Sequence, residues 1–330
     1  MKQKIFSLFV ALLATVAIQA QQIAVVNGGT TKLYSNLKDA IEGAEDGSVI
    51  YLPGGGFPIA DTDTVKKKLT IIGISHTANS DNADGRTTIN GKLIFGKGSS
   101  GSALMGCYVS GDVFIGAGAA VNDVLLRYDN MNSVQVKNSG CRGIEVNQSY
   151  VRNTSDMGGT NAKLTNNIMH SVKNVNGGLI TNNIFTSNYT YYDGVYFHYA
   201  IGANNTIVAY NVILTTSVSG ASHAWSIFTG SNSEKHHNML YQKNWGDDCV
   251  NISDEWSEVF ENNAGVTPSS NYHFKEKYIE YEGLYLYGGT GFSKNAQPPV
   301  PYISDCNVDE QTDAEGKLHI NIKVKAVSEQ

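Results

Sequence analysis

The sequence predicts an all-β protein built as a right-handed parallel β-helix, a solenoid of short strands, and three observations predict it. Glycine is abundant at 34 and proline scarce at 6 among 330 residues, with charged residues only 16%. Such a chain is poor helix material and suits short strands joined by tight turns. Short β-prone runs recur from about Gly91 to Ile252, many entered or ended by asparagine. A single amphipathic helix precedes them, where a stack of parallel strands needs its end layer covered.

The first element is a leader. Lys2 and Lys4 precede an apolar run from Ile5 to Ile18, and Ala20 stands before the polar pair Gln21 and Gln22. This pattern reads as a secretory signal peptide over residues 1–20. The run falls short of the roughly 20 apolar residues needed to span a bilayer. The mature chain is therefore expected outside the cytoplasm: periplasmic, on the cell surface or extracellular.

The helix is expected over about 35–45. Leu37, Ala40, Ile41 and Ala44 share one face, Ser35 stands at the N-cap position, and Asp46-Gly47 ends the element. Ser48–Leu52 and Leu69–Gly73 read as buried strands, with Pro53-Gly54-Gly55-Gly56 turning the chain between them. Thr88–Gly91 and Leu93–Phe95 follow.

The middle repeats loosely. Leu164–Met169, Leu179–Phe185, Ile207–Leu214 and His236–Tyr241 resemble one another, and the asparagines at 167, 183, 211 and 238 are spaced by 16, 28 and 27 residues. Uneven periods of this size suit a coil of three short strands with loops of variable length. Asparagine at matching turns can reach the backbone of the next coil and tolerates the left-handed conformation. A β-sandwich or jelly roll also needs many short strands, but hairpin signals are sparse here and regular alternation is absent.

Pro298-Pro299-Val300-Pro301 marks a boundary, so residues 21–297 are expected as the coil with its cap and 298–330 as a linker and β-hairpin flap. In the latter, Leu318, Ile320, Ile322, Val324 and Ala326 alternate with Lys317, His319, Asn321, Lys323 and Lys325.

Lys plus Arg total 24 against 30 Asp plus Glu, a net charge of −6, which argues against nucleic acid as a partner. No second apolar run approaches membrane length. Cys107, Cys141, Cys249 and Cys306 are far apart and form no C-x-x-C pair, so free thiols are favoured over a disulfide framework and no zinc motif is apparent.

The Leu37–Ala44 helix, the Val49–Gly55 strand and turn, and the Leu69–Gly73 strand resemble the N-terminal cap of pectate-lyase-like β-helix proteins. Tyr285–Gly289 with Pro299–Ile303 is similar to the closing segment of many secreted bacterial β-helix proteins. The resemblance covers both ends of the mature chain and implies the β-helix fold and a polysaccharide-related setting. It implies no activity, because that fold hosts lyases, hydrolases and adhesins alike.

Three constellations carry candidate chemistry. Asp247 and Asp248, in Gly246–Val250, look like the Asp pair of polygalacturonase-type glycoside hydrolases, in which neighbouring carboxylates share acid and base work. The other motifs of that family are missing, and a solvated turn competes with the catalytic reading. A lyase would need a base and calcium held by carboxylates. Arg127, Arg142, Arg152, Lys163 and Lys173 are available, but Asp123, Asp129, Glu145 and Asp156 form no recognisable cluster. The third constellation is aromatic: Tyr191, Tyr192, Asp193, Tyr196, His198, His223, Trp225 and Trp245 recur at about one coil's spacing. They are the candidate carbohydrate-binding residues, since aromatic planes stack on sugar faces while polar neighbours bind hydroxyls. Core packing is the competing role of such aromatics. His236 and His237 are adjacent, and adjacent residues on a strand face opposite ways, so no metal site is expected. Two readings follow. The first is an exported carbohydrate-binding or surface-interaction protein with a glycan partner and no cofactor. The alternative is a polysaccharide hydrolase or lyase, with Ca2+ in the lyase case only.

Overall fold

A computed structural model describes residues 22–77, 85–186, 190–192, 195–198, 200–213, 224–225, 228–241, 248–253, 256–261, 267, 270–293, 297–299, 301–308 and 320–326. The leader, residues 1–20, lies outside them. The protein is all-β with long parallel sheets. The chain visits three ladders in turn. The first holds Val49–Tyr51, Thr70–Ile72, Ala103–Met105, Leu125–Arg127 and Ile144–Asn147. The second runs from Gly55–Pro58 and Thr87–Asn90 through Tyr108–Val109, Asn130–Met131, Tyr150–Val151, Ile168–Met169 and Ile184–Phe185 to Val212–Ile213, Met239–Tyr241 and Val250–Ile252. The third stacks Leu93–Gly96, Val113–Ala117 and Val134–Val136. Three long strands, Ser155–Thr165, Val172–Thr181 and Ile201–Ala209, start in the third ladder and finish in the first, and so fuse the two into one sheet.

Strand alternation builds the core. Leu126, Val146, Leu164, Ile180 and Val208 point inward from the first ladder, Val151, Met169, Phe185, Ile213 and Leu240 from the second, and Val113, Ile115, Val134 and Val136 from the third. These side chains are buried and join one continuous cluster. Each contributes roughly 1.5–3 kcal/mol by leaving water.

The corner between the first and second ladders is held differently. Tyr128, Gln148, Asn166, Asn182, Tyr210 and His237 all have positive φ, between 47° and 61°. The residue after each, Asp129, Ser149, Asn167, Asn183, Asn211 or Asn238, points inward and stacks on its counterpart. The backbone N–H of each donates to the side-chain oxygen of the next, over separations of 20, 18, 16, 28 and 27 residues. Where asparagine is present its Nδ2 reaches back as well, from Asn167 to Val146 O, Asn183 to Leu164 O, Asn211 to Ile180 O and Asn238 to Val208 O. The two tasks expected of a turn asparagine are thus divided between adjacent positions.

At the corner of the long strands, Gly178 has φ +141°, and a Cβ there would stand 2.2 Å from Ala162 O. Gly178→Ala should therefore cost about 2–3 kcal/mol through strain and displacement of the neighbouring strand. Thermal unfolding checks this, and an unchanged midpoint would contradict it.

The helix is Leu37–Gly43, and its cap is Asn36 rather than Ser35: Asp39 N–H donates to Asn36 Oδ1 at 2.9 Å. Leu37, Ala40 and Ile41 are buried in the main core. Before the helix, Ile23–Asn27 and Thr30–Tyr34 form an antiparallel hairpin that joins Val49–Tyr51. This hairpin is an addition to the expected design, although Asn27-Gly28-Gly29 is a hairpin turn signal. Pro301–Val308 pairs antiparallel with Ile320–Ala326.

The segment around Tyr285–Gly289, expected at a closing end, instead lies along a side. Asn182 Nδ2 donates to the Leu284 and Tyr285 carbonyls, Asn166 Nδ2 to those of Leu286 and Gly288, and Ser293 N–H donates to Gln148 Oε1. The chain runs back along the left-handed column as a strap. Its Tyr272, Phe274, Tyr278, Tyr285, Leu286 and Phe292 cover the outward-facing Ile168, Ile184, Val212 and Met239 of the second ladder. Cys107, Cys141 and Cys249 are free thiols. No helix among the described residues is long and apolar enough to cross a membrane.

Candidate functional site

Five of the predicted aromatic positions come together on a small separate sheet. Tyr191 and Tyr192 stand on the strand Thr190–Tyr192, Tyr196 and His198 on Val195–His198, and Trp225 on Ala224–Trp225. Tyr191 pairs with Tyr196 across an antiparallel register, and His198 pairs with Trp225 across a parallel one. Asp193, His223, Trp245 and Asp247 lie outside the described residues. The pair His198↔Trp225 has the same offset as Ile201↔Phe228 and Gly202↔Thr229 of the third ladder. The aromatic strands thus precede the third-ladder strands in the chain and pair at the same offset, on a sheet of their own.

On the outer face of the third ladder is an open groove of about 540 Å³, lined by Gln135, Lys137, Asp156, Asn174, Asn176 and Asn204 among others. Gln135 and Asp156 occupy outward positions between inward Val134, Val136, Ser155 and Met157. Asp156 accepts from Asn174 Nδ2 and Gly158 N–H, each at 2.9 Å, and Lys173 Nζ stands 3.3 Å away. Partial burial works to raise the Asp156 pKa, but these partners outweigh it and hold the carboxyl below its ordinary value. The groove thus presents a fixed carboxylate among amides, a set suited to hydroxyl groups. One circuit earlier, Phe114 carries Lys137 at 4.4 Å and Lys92 at 5.8 Å from its ring centre. Sequence reasoning missed this groove because its polar residues are single outward positions inside apolar strands. The alternation Val134-Gln135-Val136 was the available signal.

The basic residues considered for proton abstraction are engaged structurally. Arg152 donates to Asn130 Oδ1 and to the Val109 and Ser110 carbonyls. Arg142 donates to the Ser139 and Cys141 carbonyls, and Arg127 lies over the Tyr128 ring at 4.6 Å. Lys163 and Lys173 pair with Glu145 and Asp156.

Asp248 is exposed and its Oδ2 lies 3.8 Å from His237 Nδ1. The expectation that His236 and His237 face opposite ways fails. His236 ends the strand Glu234–His236, but His237 takes φ +54°, which breaks the two-residue alternation and turns its ring back. The two Nδ1 atoms stand 3.0 Å apart.

No protein-family model, curated protein or solved structure matches the chain.

Proposed function

We propose that the protein is an exported, right-handed parallel β-helix protein of the pectate-lyase-like kind that binds polysaccharide along the outer wall of its third ladder. Export rests on the basic start and apolar run of residues 2–18. The fold reading rests on the three parallel ladders and their shared inward stack. The observation that carries the binding reading is the pairing offset that the aromatic strands share with the third ladder, together with the Asp156 groove on that ladder's outer face. A linear glycan meets rows of side chains about 4.8 Å apart there, with aromatic positions at one end and hydrogen-bonding groups at the other.

Calorimetry against a panel of acidic and neutral polysaccharides tests the reading. At least one should bind, and Trp225→Ala and Asp156→Ala should each weaken it about tenfold, the size of one stacking contact or one charge-assisted hydrogen bond. Absence of binding across the panel would refute it. So would binding indifferent to both substitutions.

A further inference from the structure

The geometry points to a divalent transition-metal site, with zinc as the fitting ion, formed by His236, His237 and Asp248. It is independent of the glycan reading and lies at another corner of the protein, between the first and second ladders.

The ligand atoms of these three side chains all lie within 4.8 Å of one another. His236 Nδ1 and His237 Nδ1 are 3.0 Å apart, and Asp248 Oδ2 is 3.8 Å from His237 Nδ1. Tetrahedral zinc with metal–nitrogen bonds of about 2.0–2.1 Å holds its ligand atoms about 3.3 Å apart. Both distances come within about half an ångström of that value. The facing imidazole nitrogens otherwise have to share one proton between two lone pairs, whereas a cation accepts both lone pairs at once. Two imidazoles and one carboxylate form the borderline donor set that favours zinc and its transition-metal neighbours over calcium or magnesium.

The surroundings also orient the ligands. The Tyr210 ring stacks on His237, with centroids 4.9 Å apart and planes 14° from parallel, and meets His236 edge-on at 6.3 Å. Farther down the same column the strap occupies the side chains of Gln148, Asn166 and Asn182. At its last member the imidazole is half exposed, and three protein ligands leave one coordination position for water or an outside donor.

Zinc titration by calorimetry on the purified, chelator-treated protein tests the site, with cobalt as the spectroscopic probe. One equivalent should bind, cobalt should give visible absorption, and zinc should raise the unfolding temperature. His236→Ala and Asp248→Ala should each weaken binding at least tenfold. His237→Asn keeps a residue that tolerates the left-handed turn, so it should fold like the parent in chelator while losing the site. His273→Ala, at the separate His273–Glu282 pair, should change nothing. Failure of zinc to bind the parent protein would overturn the assignment. Equal binding by the parent and a His236→Ala/His237→Asn double variant would also overturn it.

Discussion

Asn183→Ala should lower the unfolding free energy by about 4 kcal/mol. Asn183 is fully buried. Its Oδ1 accepts from the backbone N–H and the Nδ2 of Asn167, while its Nδ2 donates to Leu164 O, Thr181 O and Asn211 Oδ1. Alanine removes one side chain and strands partners in the circuits on both sides. Each buried polar group left unpaired costs about 1 kcal/mol or more. Asn183→Asp preserves the volume and the acceptor but abolishes the donor and threatens a buried charge, so it should be no milder. Urea unfolding of the two variants measures this. A loss below about 1 kcal/mol for Asn183→Ala would mean that the stack carries little of the stability.

Asp129→Asn should do the opposite and stabilise the protein at neutral pH. Asp129 occupies a stack position, fully buried, with Oδ1 accepting from Cys107 N–H and Oδ2 without a hydrogen-bond partner. Burial raises its pKa well above the ordinary value, outweighing the opposing influence of the Cys107 and Arg127 backbone groups. Below about pH 4 the carboxyl is protonated both folded and unfolded and contributes no pH dependence. Above that, the unfolded chain releases the proton while the folded one retains it. Stability then falls by about 1.4 kcal/mol per pH unit until the folded group ionises too. Asparagine removes this loss and supplies an Nδ2 donor for the Leu104 carbonyl, at the place matching Val146, Leu164, Ile180 and Val208 in later circuits. Unfolding midpoints at pH 5 and pH 8 check the prediction. The gain should be larger at pH 8, and a gain confined to acid would contradict the sign.

How much was legible in the sequence follows from where each feature is encoded. The parallel body was readable because Asn167, Asn183, Asn211 and Asn238 do one repeated job, and a repeated job leaves a repeated residue. Its continuation through Ser149 and Asp129 was not readable, since a hydroxyl or a carboxyl fills the same acceptor role with another letter. The helix was readable from its apolar face. Its cap was one residue late because Ser35 and Asn36 are both good caps, and only the loop geometry chooses between them. The side-lying course of residues 270–293 is a tertiary fact: aromatic residues announce burial but not the surface they cover. Among candidate site residues, the grouping of Tyr191, Tyr196, His198 and Trp225 came from spacing. The histidine pair escaped because the alternation rule assumes extended backbone, and His237 is not extended.

The stacked corner has a consequence for how such a chain can change. Between Asn167 and Asn183 the circuit takes 16 residues, and between Asn183 and Asn211 it takes 28. Yet the strands on either side of that corner stay in step. The surplus is absorbed between the second and third ladders, where the aromatic strands branch off. One edge of the molecule thus works as a fixed spine. The corner between the second and third ladders takes up differences in length without disturbing the pitch, so new segments can accumulate there while the stacked strands stay as they were.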